Sequence, residues 1–139
     1  MNAVDTNVYV YALDTDESLK QAKALALFHR LALQSHDSIL LWQVAGELLN
    51  QLRRWESKGK LLAEGVEAAF NRLRSLFPLR LPTERILQIS FDLRSRYTLS
   101  HWDSMLLAAC IESGVTTLYS EDMAAGMNYD GVTIVNPFA

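Results

Sequence analysis

The apolar residues change their spacing repeatedly along the chain, and each change marks a new element. Asn2-Ala3-Val4 reads as a short strand ending at Asp5. Residues 17–35 carry helical spacing at Leu19, Ala22, Leu25, Phe28 and Ala32. Ser38-Ile39-Leu40-Leu41-Trp42 is a short apolar run between polar residues, the mark of a buried strand. A helix follows with Val44, Leu48, Leu52 and Trp55 on one face, then another with Leu62, Val66, Ala69, Phe70, Leu73 and Leu76. Pro78 and Pro82 confine Leu79-Arg80-Leu81 to a brief extended piece. Thr83 is placed to cap a helix burying Ile86, Ile89, Leu93 and Tyr97. Ser100-His101-Trp102-Asp103 has the form of a capping box with Asp in the Glu position. The helix it opens buries Trp102, Met105, Leu106, Ala109 and Cys110, and Gly114 stops it. Val115–Tyr119 and Val132–Val135 are rich in β-branched residues and read as strands.

Strands separated by helices predict an α/β fold, a three-layer α/β/α sandwich around a parallel sheet. In such sheets the ligand sits beyond the carboxyl ends of the strands, where strand order reverses. The 139 residues suit one domain, 1–139, and half of them are hydrophobic, enough for an ordinary core. No charge-free stretch exceeds nine residues, so no membrane span is expected. No secretory signal opens the chain. Cys110 is the single cysteine, which excludes an internal disulfide and a cysteine-based zinc site; a reducing, cytoplasmic setting is expected.

The net charge of −3 hides an asymmetry. Residues 53–96 hold ten of the thirteen basic side chains against five acids, so that segment is +5 and the rest is −8. After Arg96 there is no Lys or Arg, yet there are five carboxylates. One reading is a solvated face on the middle helices. The other pairs a basic, phosphate-attracting surface, with Arg53, Arg54 and Lys58 as RNA contacts, with an acidic, cation-attracting pocket.

The acids fall where an α/β sheet gathers function. Asp5 ends the first strand, Glu47 lies one turn into the helix after the second, and Asp103 opens the helix before the fourth. Ser120, Glu121 and Asp122 follow the fourth strand directly. Taken singly, each has a local explanation as a cap, a turn or a solvated helix residue. Together, in one cleft, they would repel strongly. A divalent cation relieves that repulsion, and an all-oxygen donor set suits Mg²⁺ or Mn²⁺ rather than zinc. Such ions activate water and stabilise the charge that develops as a phosphodiester is cleaved. His101 reads as a cap or loop residue, His29 and His36 lie far from the acids, and Trp42 and Trp102 read as core residues that could otherwise stack a base.

Val4-Asp5-Thr6-Asn7-Val8, Gln43-Val44-Ala45-Gly46-Glu47-Leu48, Ser100-His101-Trp102-Asp103-Ser104 and Leu118-Tyr119-Ser120-Glu121-Asp122-Met123, in this order and with the tail Gly131–Phe138, resemble the PIN-domain ribonucleases, in particular the VapC-type toxins. The resemblance implies a PIN-like sheet in the order 3-2-1-4-5 and a Mg²⁺- or Mn²⁺-dependent endoribonuclease. It maps the catalytic, metal-holding acids onto Asp5, Glu47, Asp103 and Asp122, with Asn7 and Ser120 ordering the pocket. Asp122 rather than Glu121 matches the family position. A homodimer silenced by a small VapB-type antitoxin is also implied. A PIN nuclease in RNA processing outside such a pair, and a silent nucleic-acid- or protein-binding module, are the alternatives; loss of acids would mark the latter, and all four are present. Haloacid-dehalogenase-type enzymes and receiver domains also begin with a strand-end Asp, but both need a late lysine, and the last here is Lys60.

Overall fold

A computed structural model describes residues Met1–Ala139. In chain order the elements are β1 (Asn2–Val4), α1 (Thr6–Leu13), α2 (Ser18–Ala32), a 3₁₀ turn at Ser35–Asp37, β2 (Ser38–Leu41), α3 (Trp42–Ser57), α4 (Ala63–Arg74), β3 (Leu79–Arg80), α5 (Arg85–Arg96), α6 (His101–Glu112), β4 (Thr117–Tyr119), β5 (Asn128–Tyr129) and β6 (Val132–Val135). The sheet runs β3-β2-β1-β4-β6-β5 and is parallel except for the β5–β6 pair. The expected order 3-2-1-4-5 is therefore present as β3-β2-β1-β4-β6, with one short antiparallel strand added at the edge. Helices flank the sheet: α1 packs on α2 and α3, α3 on α4, and α5 on α6. The buried apolar side chains form one contiguous cluster of 33 residues. No helix is long and apolar enough to cross a membrane.

The chain builds β1, β2 and β3 outward on one side, then returns to pair β4 on the free edge of β1. The switch point thus lies between β1 and β4. There Val4 pairs with Tyr119, and the Asp5 N–H extends the ladder by donating to the Tyr119 carbonyl at 2.8 Å. Both strands are two-sided core, with Ala3, Val4 and Leu118 almost fully buried, which fixes the register.

Several sequence expectations are corrected. In α2 the buried face is Ala24, Leu27, Phe28 and Leu31, while Leu19 and Leu25 are exposed. The helix has two adjacent apolar stripes that share Phe28, whose ring lies 4.7 Å from that of Tyr9, and Leu27 and Leu31 rather than Leu25 and Ala32 join it inside. Trp42 starts α3 instead of ending β2, and both it and Trp102 are exposed, not core. Each sits in the first turn of its helix, beyond the edge of the sheet. Leu62 precedes α4 and is exposed, and β4 starts at Thr117, two residues later than expected. Thr83 does not cap α5; its hydroxyl donates to Glu112 of α6 instead. Ser100 does cap α6, accepting from the Asp103 N–H at 3.2 Å.

The edge hairpin turns through Asp130 (φ 52°) and Gly131 (φ 98°), the two positive φ values of a type I′ turn. Asp130 also accepts a two-pronged ion pair from Arg96 and a 3.1 Å bond from the Tyr97 hydroxyl, which pins the turn to the end of α5. A Cβ at Gly131 would meet no atom, so the cost of Gly131→Ala is purely that of the backbone. We expect it to lower stability by about 1–2 kcal/mol, read as a lower urea midpoint at unchanged slope.

Candidate active site

The β1–β4 register carries Asp5 to the C-terminal edge of the sheet, beside Ser120. Asp5 is also the N-cap of α1. One carboxylate oxygen accepts from the Thr6 N–H at 2.7 Å, the other from the Ser120 hydroxyl at 2.8 Å. Asp5 is only 8% exposed, and Ser120 is fully buried with its own N–H bound to the Val135 carbonyl at 2.9 Å. Burial raises the Asp5 pKa to about 6. The Ser120 and Thr6 hydrogen bonds oppose that rise, and the charges of Glu47 and Asp122 add to it. The local reading of Asp5 as a cap and the electrostatic reading of it as one of a group of acids are both correct.

Glu47 stands exposed on the second turn of α3. Gln43, one turn earlier, donates from Nε2 to Glu47 Oε1 at 2.9 Å and to the Trp102 carbonyl at 3.2 Å. That amide ties the first turn of α3 to the first turn of α6 and sets Glu47 toward the residue beside Asp103. The Asp103 backbone takes the Ser100 cap, but its carboxylate accepts no hydrogen bond, so the reciprocal half of a capping box is missing and this acid is left free. Cys110, deeper on α6, has its thiol pushed up chiefly by burial and also by the Asp5 charge, which places α6 behind the site.

Asp122 is exposed and acts on Asp5, whereas the adjacent Glu121 is already engaged: it pairs with Lys20 of α2. Lys20 also donates to the Tyr11 hydroxyl at 3.3 Å and lies over the Tyr11 ring. The Glu121 carboxylate thus has a built-in cation, and the Asp122 carboxylate does not. Asn7 accepts from the Glu121 N–H at 3.5 Å, and its amide nitrogen is buried with no partner, as is the Thr6 hydroxyl.

The charges of Glu47 and Asp122 thus act on Asp5, and the Gln43 bond to the Trp102 carbonyl links Glu47 to the residue beside Asp103. No three acids close on a common point tightly enough to enclose an ion alone. The donor set still fits a hard dication: Mg²⁺ keeps several waters and takes one or two carboxylates, the rest of its shell coming from substrate phosphate. The orphaned Asn7 amide and Thr6 hydroxyl are suited to hold such waters or a substrate oxygen.

Arg53, Arg54 and Lys58 lie outside this cluster, exposed toward the C-terminal end of α3 and in no ion pair. At 100° per residue Arg54 and Lys58 fall within about 20° of Glu47 around the helix, while Arg53 is turned about 120° away. His101 packs its ring edge-on to Trp102, with centroids 4.5 Å apart. Sequence reading missed Gln43 and Lys20 as site residues. Gln43 is legible as the i−4 neighbour of Glu47; Lys20, 101 residues from its partner, carries no local signal.

No curated protein matches the sequence. Solved structures do. A chain of a toxin–antitoxin complex from Klebsiella pneumoniae superimposes with TM-score 0.68 at 17% identity, covering 99% of this chain and 98% of that one. VapC20 of Mycobacterium tuberculosis, a toxin that cleaves the sarcin–ricin loop, gives 0.63 at 17% identity over 88% and 90%. VapBC2 of Rickettsia felis, bound to promoter DNA, gives 0.70 at 15% identity over 96% of each chain. At these identities the likeness shows the fold. The PIN domain family model matches residues 3–124, and with most of its length so matched, the chain belongs to the PIN-domain family.

Proposed function

We propose that this chain is a divalent-metal-dependent endoribonuclease and the toxin of a toxin–antitoxin pair, held in check by a small VapB-type antitoxin and acting as a homodimer. One observation carries the chemical part. A carboxylate is buried at the β1–β4 switch point, fixed by two hydrogen bonds, and faced by two further acids whose charges act on it. Burial and the neighbouring acids disfavour the charge on that carboxylate, a proton or a cation offsets the cost, and the oxygen donors favour a hard cation. Membership of the family and the likeness to toxin structures support the nuclease and toxin readings.

Asp5, Glu47, Asp122 and Asp103 would hold Mg²⁺ or Mn²⁺, which when bound supplies positive charge against the phosphodiester and acidifies water beside it. The chain's own residues do the rest. Ser120 and Thr6 lock the Asp5 rotamer, so both oxygens keep fixed directions. Gln43 positions the Glu47 carboxylate. The Asn7 amide offers a donor to a non-bridging phosphate oxygen. Lys20 neutralises Glu121 and keeps it from competing with Asp122 for the cation. Arg54 and Lys58 continue the Glu47 face of α3 as a track for the RNA backbone. No imidazole of His29, His36 or His101 bonds a hydroxyl or thiol (Ser104 donates to the His101 backbone carbonyl), so a covalent Ser–His or Cys–His nucleophile finds no support here.

The decisive experiment compares RNA ends after brief expression of the wild-type chain and of Asp5→Asn. Defined new ends are expected for the wild type and none for the variant. The purified chain should cut RNA with Mg²⁺ or Mn²⁺ and stop in EDTA. Full cleavage in EDTA would overturn the mechanism.

Linkage at Asp5 gives a second expectation. A carboxyl raised from 3.8 to about 6 by folding binds more protons folded than unfolded, so metal-free stability falls as pH rises from about 4 to 6. The full loss above pH 6 is about 3 kcal/mol. Asp5→Asn should therefore flatten that pH dependence in thermal melts and match or exceed the metal-free wild type at pH 7.5. Millimolar Mg²⁺ should raise the wild-type melting temperature and leave that of Asp5→Asn unmoved. An Asp5→Asn variant that unfolds far earlier at pH 7.5 would make Asp5 a structural acid only.

The α3 track gives a third. Arg54→Ala and Lys58→Ala should each weaken RNA binding and reduce the salt slope by about one, whereas Arg53→Ala, turned off the Glu47 face, should change it little. Equal effects at all three positions would return them to an ordinary solvated helix end.

A further inference from the structure

A cleft of about 580 Å³ opens beside the acids, between α3 and α6, with Glu47 on its near rim. It does not include Asp5, Asp103 or Asp122, so it is a neighbouring space and not the acidic centre. Trp42 (53% exposed) and Trp102 (64% exposed) stand in its walls, together with Asn50, Arg80, Leu81 and Pro82. Both indoles are first-turn residues, and they make no ring contact with each other. Trp102 is held on two sides, by the edge-on His101 ring and by the Gln43 bond to its carbonyl. These are large apolar faces kept bare and oriented next to a phosphodiester-cleaving centre.

Resting on the nuclease reading of that centre, we propose that this cleft is a nucleobase subsite, in which an unpaired base next to the scissile phosphate stacks on Trp102 and Trp42 while Arg80 takes a flanking phosphate. The charge pattern fits this occupant. Glu47 on the rim belongs to the acidic centre, Arg80 in the lining forms no ion pair, the other lining acid, Glu112, already accepts from the Thr83 hydroxyl, and the two indoles stand among aliphatic side chains such as Ile86 and Met105. The size fits as well: the cleft is in the range that encloses small molecules, ample for one or two bases. Asn50 presents an amide with no partner in the structure, able to bond a base edge. Stacking contributes about 1–3 kcal/mol per base and is tolerant of base identity. Selection for an unpaired base would thus come from the cleft, and cutting would come from the acids.

The test uses the full chain in EDTA, where no cleavage occurs, with an eight-nucleotide single-stranded RNA. Binding should quench tryptophan emission. Trp42→Phe and Trp102→Phe should each remove part of the quench and keep most of the affinity; Trp55, buried on α3, should not respond. Trp42→Ala and Trp102→Ala should each weaken binding about tenfold, and the loss should persist at high salt, unlike that of a charge contact. Since both rings are exposed, melting temperatures of all four variants should stay near wild type. Unchanged RNA affinity in the alanine variants overturns the subsite, and does so even if Mg²⁺-dependent cleavage is intact. Loss of self-association in sedimentation, with RNA affinity unchanged, makes the cleft a protein interface and also overturns it. Quenching with the expected losses, in a chain that cleaves nothing with any divalent metal, upholds the subsite and removes the nuclease reading alone.

Discussion

The pairing of β1 with β4 is the constraint on which the rest depends. Two strands 115 residues apart in sequence meet in parallel register, and the ladder runs one residue past β1, through the Asp5 N–H. That extra rung decides where the Asp5 side chain lies. It cannot turn into the core, where Val4 and Leu118 fill the space, and it is nearly closed off from water, because β4 and the following Ser120 cover most of it. Its oxygens are taken by the two donors that the same junction provides, Thr6 and Ser120. The fold thus holds a carboxyl group in a place that disfavours its charge, then surrounds it with more negative charge.

A buried acid of this kind is worth keeping only if something else gains from it. Three features of the neighbourhood support the binding function proposed for it. Glu121 is neutralised by Lys20, but neither Glu47 nor Asp122 is in an ion pair, although cations are plentiful in the chain. The Asp103 carboxylate declines the capping bond open to it. Polar atoms of Thr6 and Asn7 stay buried without partners. A chain selected for stability alone would satisfy these groups, since an orphaned buried donor costs about 1–3 kcal/mol. The unmet demand is for positive charge and for oxygen ligands, which a hydrated dication and a phosphate supply together.

Much of this was legible in the sequence because the acids sit where local patterns change: at a strand end, one turn into a helix, at a helix start, after a strand. Parallel α/β topology then brings strand ends to one edge, so positions in sequence translate into a cluster in space. What failed depended on information that local patterns do not contain. The rotation of α2 is settled by tertiary packing, with Leu27 and Leu31 inside beside Phe28, which meets Tyr9 and Phe77, between two stripes of similar hydrophobicity. The Lys20–Glu121 pair is a long-range event. The β5–β6 hairpin is a different kind of miss, for Asp130-Gly131 before a β-branched run is a strong turn signal and could have been read. Trp42 and Trp102 read as core from residue type and from the apolar runs that they sit in. Type says that an indole is usually covered; it does not say that the first turn of a helix at the sheet's rim has nothing above it to do the covering.

The exposure of those two rings follows from the same geometry that builds the acidic centre. Glu47 and Asp103 must project over the carboxyl edge of the sheet, so α3 and α6 must start there, and their first turns overhang it. Residues immediately before the acids share that overhang. Trp42 lies five positions before Glu47, about 140° around α3, and Trp102 lies one before Asp103, about 100° around α6, so neither ring shares the direction of its acid, yet Trp42 and Glu47 line the same cleft. Gln43 makes the two starts a unit, bonding to Glu47 on one helix and to the Trp102 backbone on the other. One side chain thus joins the Glu47 carboxylate on one wall of the cleft to the backbone of the other wall, at the turn that carries Trp102 and Asp103.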